Sequence, residues 1–187
     1  DYAKEILVID DASADNTFEV IESKFPNILV HKMSSGHSKE RSKILNILKL
    51  YTKAEWILRI DDDEIMPKKT MEEIVNLDGE VPVYSIPFLH YEAGGFINPA
   101  AHRKNAFYVA RLFKNIPEIS WIRQEEVLAC NGTPVSSRAN QTNLCRKITN
   151  PFLHFGQLVH PENYNFHAKG HCNMSLGEYA EYVPKKN

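Results

Sequence analysis

The sequence predicts an α/β protein, a sandwich with a mostly parallel central sheet and helices on both faces. Two strand-length apolar runs, residues 5–9 and Trp56-Ile57-Leu58-Arg59-Ile60, each end in acids: Asp10-Asp11 in the first case and Asp61-Asp62-Asp63-Glu64 in the second. Segments with helical spacing of apolar residues alternate with these runs, as in β–α units. A near-continuous apolar run, unlike an alternating one, belongs to a strand covered on both faces, as in a parallel sheet.

Taken in order, the first strand is Glu5-Ile6-Leu7-Val8-Ile9. Ser13 or Asp15 can cap the helix that follows, with Phe18, Ile21 and Phe25 on one face. Ile28–His31 is a short second strand, and Ser34-Ser35-Gly36 has loop chemistry. A helix from about Ser38 places Ile44, Ile47, Leu48 and Tyr51 on its buried face, with Arg41 at its start and pointing inward. After the Trp56–Ile60 strand and its acids, Pro67 opens a helix to about Leu77. Val83–Tyr91 reads as a strand in which Pro87 marks an edge or bulge. Glu92–Ala106 is a loop long enough to carry function. Strands follow at Phe107–Phe113, Ile119–Ile122 and Phe152–Phe155, residues 130–150 are polar and weakly patterned, and Pro161 to about Tyr182 can form a helix. No repeat or linker divides the chain, so a single domain over residues 1–187 is expected.

The four acids at 61–64 carry the chemistry. Unpaired charges are costly to bury, so they belong at the rim of the sheet, and a divalent cation relieves their mutual repulsion. Oxygen ligands suit Mg2+ or Mn2+ better than Zn2+, and Mg2+ is commonly shared between carboxylates and substrate phosphates. In open α/β sheets ligands bind beyond the carboxyl ends of strands, where both Asp10-Asp11 and Asp61–Glu64 fall. The plainer alternatives are a solvated helix start for Asp61–Glu64, a turn and helix cap for Asp10-Asp11, and a surface ion pair for Arg41.

Composition narrows the field further. A net charge of −2 offers no basic field for nucleic acid or anionic lipid. No apolar run reaches membrane-span length. Three cysteines, Cys130, Cys145 and Cys172, give no disulfide framework, so a cytoplasmic setting is expected, with the membrane periphery as a variant of it. His154, His160, His167 and His171 cluster in sequence, but no His-Glu-x-x-His arrangement supports a zinc hydrolase.

Residues 6–17, Ile-Leu-Val-Ile-Asp-Asp-Ala-Ser-Ala-Asp-Asn-Thr, resemble the "VVDDGSTDGT" stretch of family 2 glycosyltransferases. Ser35-Gly36, Arg41 and Ile60-Asp61-Asp62-Asp63-Glu64 follow in that family's order. Arg111-Leu112-Phe113-Lys114-Asn115 with Trp121 and Glu125-Glu126 resembles its "RLFRN … HE" segment. The resemblance covers about residues 5–155 and implies a Rossmann-like GT-A fold. It also implies transfer of a sugar from a nucleotide-diphosphate donor, usually UDP, to a carbohydrate or other hydroxyl acceptor, with inversion. Asp11, with Asp10 beside it, would contact the nucleotide base, and Arg41 would lie near the nucleotide. Asp61 and Asp63 would be the outer acids of the "DXD" motif on ribose and metal, with Asp62 as the alternative register. Glu126 or Glu125 would be the general base, Glu125 departing from the family's His-Glu. His154 would be a third metal ligand. On this pattern residues 1–78 form the nucleotide-binding half and 79–187 the acceptor half. The chain enters the pattern at its second strand, so an N-terminally incomplete sheet is expected. That expectation keeps a second function open, a non-catalytic transferase domain that binds metal, nucleotide or carbohydrate, in which this chain alone would be inactive.

Overall fold

A computed structural model describes residues 3–33, 41–92, 96–97, 108–122, 127–135 and 143–155. The chain divides into two compact units, Asp1–Trp56 with Lys114–Pro134 and Ile57–Phe113 with Val135–Asn187.

In the first unit, β1 (Leu7–Asp10) pairs in parallel with β2 (Leu29–Lys32), Asp10 lying opposite Lys32. The connecting α1 (Thr17–Lys24) fully buries no residue: Phe18 and Ile21 are half-buried and Phe25 is exposed, so the expected apolar face of this helix is only partly covered. The first strand is likewise only partly covered, with Ile6 exposed. Asp15 braces the helix start by accepting the Thr17 N–H at 3.0 Å and the Thr17 hydroxyl at 2.6 Å. α2 (Arg41–Lys49) turns Ser42 and Leu48 inward and leaves Ile47 exposed, as is Tyr51 beyond its end. Asn46 fixes this helix to β8 (Ile119–Ile122): its Nδ2 donates to the Trp121 carbonyl at 2.8 Å and its Oδ1 accepts the Trp121 N–H at 2.9 Å. β8, β9 (Val127–Cys130) and β10 (Thr133–Pro134) form an antiparallel sheet. Asn131 and Gly132, both at positive φ, make the two-residue turn between β9 and β10, the conformation for which Asn-Gly is preferred.

The second unit centres on β5 (Val83–Glu92). The sheet runs β3 (Trp56–Leu58), β7 (Tyr108–Lys114), β5, β12 (Phe152–His154), β4 (Glu64–Ile65), with β6 (Phe96–Ile97) and β11 (Cys145–Lys147) also pairing with β5. β5 runs parallel to β11 and β12 and antiparallel to β6 and β7, and β12 is antiparallel to β4. The sheet is therefore mixed, not mostly parallel. A continuous apolar run is typical of a doubly covered parallel strand but does not by itself fix strand direction. Ile86, Leu89, Phe113, Ile148 and Phe152 form the core of this unit. β5 is an interior strand despite Pro87, and its irregularity is a register shift at Tyr84/Ser85. α3 (Lys68–Val75) is tied to the approach to β12: Thr70 Oγ1, fully buried, donates to the Pro151 carbonyl at 2.7 Å. Glu73 accepts the Thr149 and Asn150 N–H groups, each at 2.7 Å.

Among the described residues, no helix is long and apolar enough to cross a membrane. The histidines at 160, 167 and 171, the last expected helix and much of the 92–106 loop lie outside those residues.

Candidate functional site

β3 ends at Leu58, before the expected Ile60, and the acids form a turn between β3 and β4. The turn closes on itself: Glu64 N–H donates to the Asp61 carbonyl at 3.1 Å, and Asp61 N–H donates to Glu64 Oε2 at 3.0 Å. Asp62 is exposed at its tip, Asp61 and Asp63 are partly covered, and Glu64 is buried. The turn is held against β12 by register, with His154 opposite Glu64, and by Phe155 N–H donating to the Asp63 carbonyl at 2.7 Å. This brings one donor atom each from Asp63, Glu64 and His154 within 4.8 Å of one another. His154 Nε2 lies 3.4 Å from Asp63 Oδ2.

Two arginines offset part of the turn's negative charge. Arg59 Nε lies 3.1 Å from Asp61 Oδ1, and Arg111 Nη2 donates to Asp61 Oδ2 at 2.6 Å and to Glu64 Oε1. Burial pushes the Asp61 carboxyl up, but the charges and hydrogen bonds of Arg111 and Arg59 outweigh it and hold Asp61 below its ordinary value. For Glu64 burial wins over Arg111 and the Asp61 N–H, and its pKa is raised. Burial, aided by Arg111 and opposed by Asp63, holds the His154 imidazole below its ordinary value. A neutral imidazole is the form that binds metal. Two carboxylates and one imidazole are a donor set that a divalent cation such as Mn2+ accepts.

The other expected residues fall as follows. Asp10 ends β1 and is buried: Oδ1 accepts the Ser13 N–H at 3.1 Å, while Oδ2 has no hydrogen-bond partner among the described residues, with Lys32 Nζ 4.0 Å away. Asp11 is exposed beside it, and Ala12 follows at φ 58°. A side chain in that left-handed region is strained, and the family stretch has Gly there. Arg41 is the first residue of α2 as expected, but it is exposed and does not point inward. Trp121 is buried in β8 as a core residue. Glu125 and Glu126 lie outside the described residues; the strands flanking them pair with Ile122 opposite Val127. Asp10, Asp11 and Arg41 belong to the first unit, and Asp61–Glu64 and His154 to the second.

Sequence reasoning gave no role to Arg111 or to Glu64 individually. The available signal was a charged residue at Arg111 inside an otherwise apolar strand, which requires a buried counter-charge.

The profile of the Glycosyl transferase family 2 matches residues 1–135, and the chain belongs to that family. The SPbeta prophage-derived glycosyltransferase SunS of Bacillus subtilis (strain 168) is 31% identical to it over 84 residues, 44% of this chain and 19% of that protein. Glycosyltransferase SunS of Bacillus phage SPbeta matches with the same 31% identity over 84 residues. The match thus spans 19% of the length of these relatives.

Proposed function

We propose that the protein transfers a sugar from a nucleotide-diphosphate sugar, of the UDP type, to a hydroxyl of a carbohydrate or other acceptor, on a GT-A sandwich, with inversion and with Mn2+ or Mg2+ as cofactor. The observation that carries this reading is the convergence of Asp63, Glu64 and His154 donor atoms within 4.8 Å, at the acidic turn of a family 2 chain.

In this reading Asp63 and His154 hold the metal, with Asp61 or, in the alternative register, Asp62 turned to the ribose. A bound metal offsets the charge that develops on the departing diphosphate. Asp11 and Asp10 serve the base and Arg41 the nucleotide, so residues 1–78 form the donor half. The buried, unsatisfied Oδ2 of Asp10 supports a ligand role there, because such an atom is costly unless a donor meets it. Residues 79–187 form the acceptor half, in which Glu126 or Glu125 takes the proton from the acceptor hydroxyl as its oxygen attacks the anomeric carbon. Holding both partners in line supplies much of the remaining rate. We place the protein in the cytoplasm or at the membrane periphery.

Calorimetric titration of UDP, with and without Mn2+, tests the reading. Binding should require the metal and be lost in the Asp61→Asn/Asp63→Asn double variant. Metal-independent binding that survives in that variant would refute it. Glu126→Gln should then retain donor binding and lose turnover.

A further inference from the structure

Arg111 sits in β7 next to buried Leu112 and Phe113, and is itself only 6% exposed. Taking a guanidinium out of water costs several kcal/mol unless its charge and N–H groups are met. Here the charge is met by Asp61 and Glu64, both bridged by Nη2, while Nε is buried with no hydrogen-bond partner among the described residues. The guanidinium also lies over the Phe88 ring, 5.4 Å from its centroid, and Phe88 packs edge-on against His154 at 5.8 Å. The Arg111 carbonyl accepts the Arg59 N–H at 2.9 Å, which fixes its backbone beside the residue that leads into the turn. One side chain therefore touches the acidic turn directly and the β12 histidine through a single ring.

Both carboxylate oxygens of Glu64 are already engaged, Oε1 with Arg111 and Oε2 with the Asp61 N–H. Asp61 is likewise held, by Arg111 on Oδ2 and Arg59 on Oδ1. Asp63 and His154 face each other at 3.4 Å. We propose that Arg111 is a positioning residue for the divalent cation: it takes Asp61 and Glu64 as its counter-ions and so holds the turn in the shape that sets Asp63 and His154 at ligand spacing. This rests on the metal reading given under Proposed function.

Charge and position predict opposite outcomes here. A guanidinium repels a nearby cation, so if Arg111 acted through its charge alone, its removal would tighten Mn2+ binding. If it positions the turn, removal leaves the carboxylates of Asp61, Asp63 and Glu64 to repel one another, the turn spreads, and Mn2+ binding weakens.

The test is titration of the full chain with Mn2+ alone, followed by the electron paramagnetic resonance of free Mn2+ and by calorimetry. Arg111→Met should raise the Mn2+ Kd about tenfold or more, the scale seen when groups that orient metal ligands are lost. Arg111→Lys keeps the charge but not the planar fork, and should fall between Met and wild type. Arg146→Met, which removes a surface pairing with Asp78 and Glu80, should leave the Kd unchanged. Unchanged or tighter Mn2+ binding in Arg111→Met would overturn the proposal. Should that variant fail to fold by circular dichroism, Arg111→Lys decides, and wild-type affinity there would overturn it. If the wild-type chain binds no Mn2+, the metal reading itself falls and takes this proposal with it. Binding in wild type that is insensitive to Arg111 sinks the positioning role alone.

Discussion

His154 stands directly across from Glu64 in the antiparallel pairing of β12 with β4. One step along the turn, Asp63 reaches the same imidazole, 3.4 Å from its Nε2. The candidate metal group is thus a product of strand register: shifting β12 by one residue would turn the imidazole to the other face of the sheet.

Mn2+ affinity should depend on this histidine and on pH. His154→Ala is expected to weaken Mn2+ at least about tenfold, as loss of one ligand of a small set does. Because burial holds the imidazole below its ordinary value, the site should keep its affinity through the pH range in which a free imidazole already titrates. Affinity should fall only at lower pH, as protons compete for the ligands. Mn2+ titrations at a series of pH values check both points.

Asp61 and Glu64 should act on acid stability in opposite directions. The folded-state pKa of Asp61 is depressed, so its contribution is present above its unfolded value of about 3.9 and is lost as pH falls through the lower folded value. Glu64 is raised, so the folded state takes up its proton first and gains stability as pH falls through that raised value. Asp61→Asn should cost about 1.5–3 kcal/mol at pH 7, as for hydrogen bonds to a charged group, and should flatten the acid limb of the stability curve. Glu64→Gln should remove the opposing gain and steepen it. Urea denaturation across pH 3–7 measures both.

The link from α3 to the approach of β12 should matter twice. Glu73→Ala leaves the Thr149 and Asn150 N–H groups without their carboxylate, and Asn150 Nδ2, which donates to it at 2.8 Å, as well. A loss of about 2 kcal/mol is expected. Since residues 149–151 lead into the strand that carries His154, Mn2+ affinity should fall with it. A denaturation midpoint that moves while the metal Kd stays fixed would show that β12 is held elsewhere.

In the other unit, Asn46→Ala should cost about 1–3 kcal/mol by stranding the N–H and carbonyl of Trp121. Asn46→Asp, which keeps the acceptor but sets a carboxylate oxygen against the Trp121 carbonyl, should cost at least as much. Thermal denaturation ranks the two.

Much of this site was legible from residue type and order. Four acids after an apolar strand pointed to the strand's exit, and they do form the turn into β4, but Glu64 is buried against Arg111 and does not stand at a rim. The strands at β5, β7, β8 and β12 were readable because they are apolar and of strand length. Strand direction was not, since the same apolar run serves in either orientation. The hairpin turn at Asn131-Gly132 carried a local signal that the polar look of residues 130–150 hid. Helix spacing put Arg41, Ile44, Ile47, Leu48 and Tyr51 inward; Leu48 is buried and Ile44 half-buried, but Arg41, Ile47 and Tyr51 are exposed and Ser42 is covered instead. A short helix offers too few turns for spacing alone to fix its phase. Arg111 was missed as a site residue because its partners, Asp61 and Glu64, are remote in sequence.

The reciprocal closure between Asp61 and Glu64 bears on how this segment tolerates change. Each residue holds the other's backbone across a fixed interval, while Asp62 projects into solvent between them. The fold thus fixes the count of residues at this point and leaves the chemistry of the middle one to whatever ligand it meets. A change of side chain at Asp62 would pass unnoticed by the turn. A single inserted or deleted residue there would throw Asp63 off the imidazole and Glu64 off the guanidinium together, so the Asp62 codon should accept missense changes far more readily than this stretch of the gene accepts changes of length.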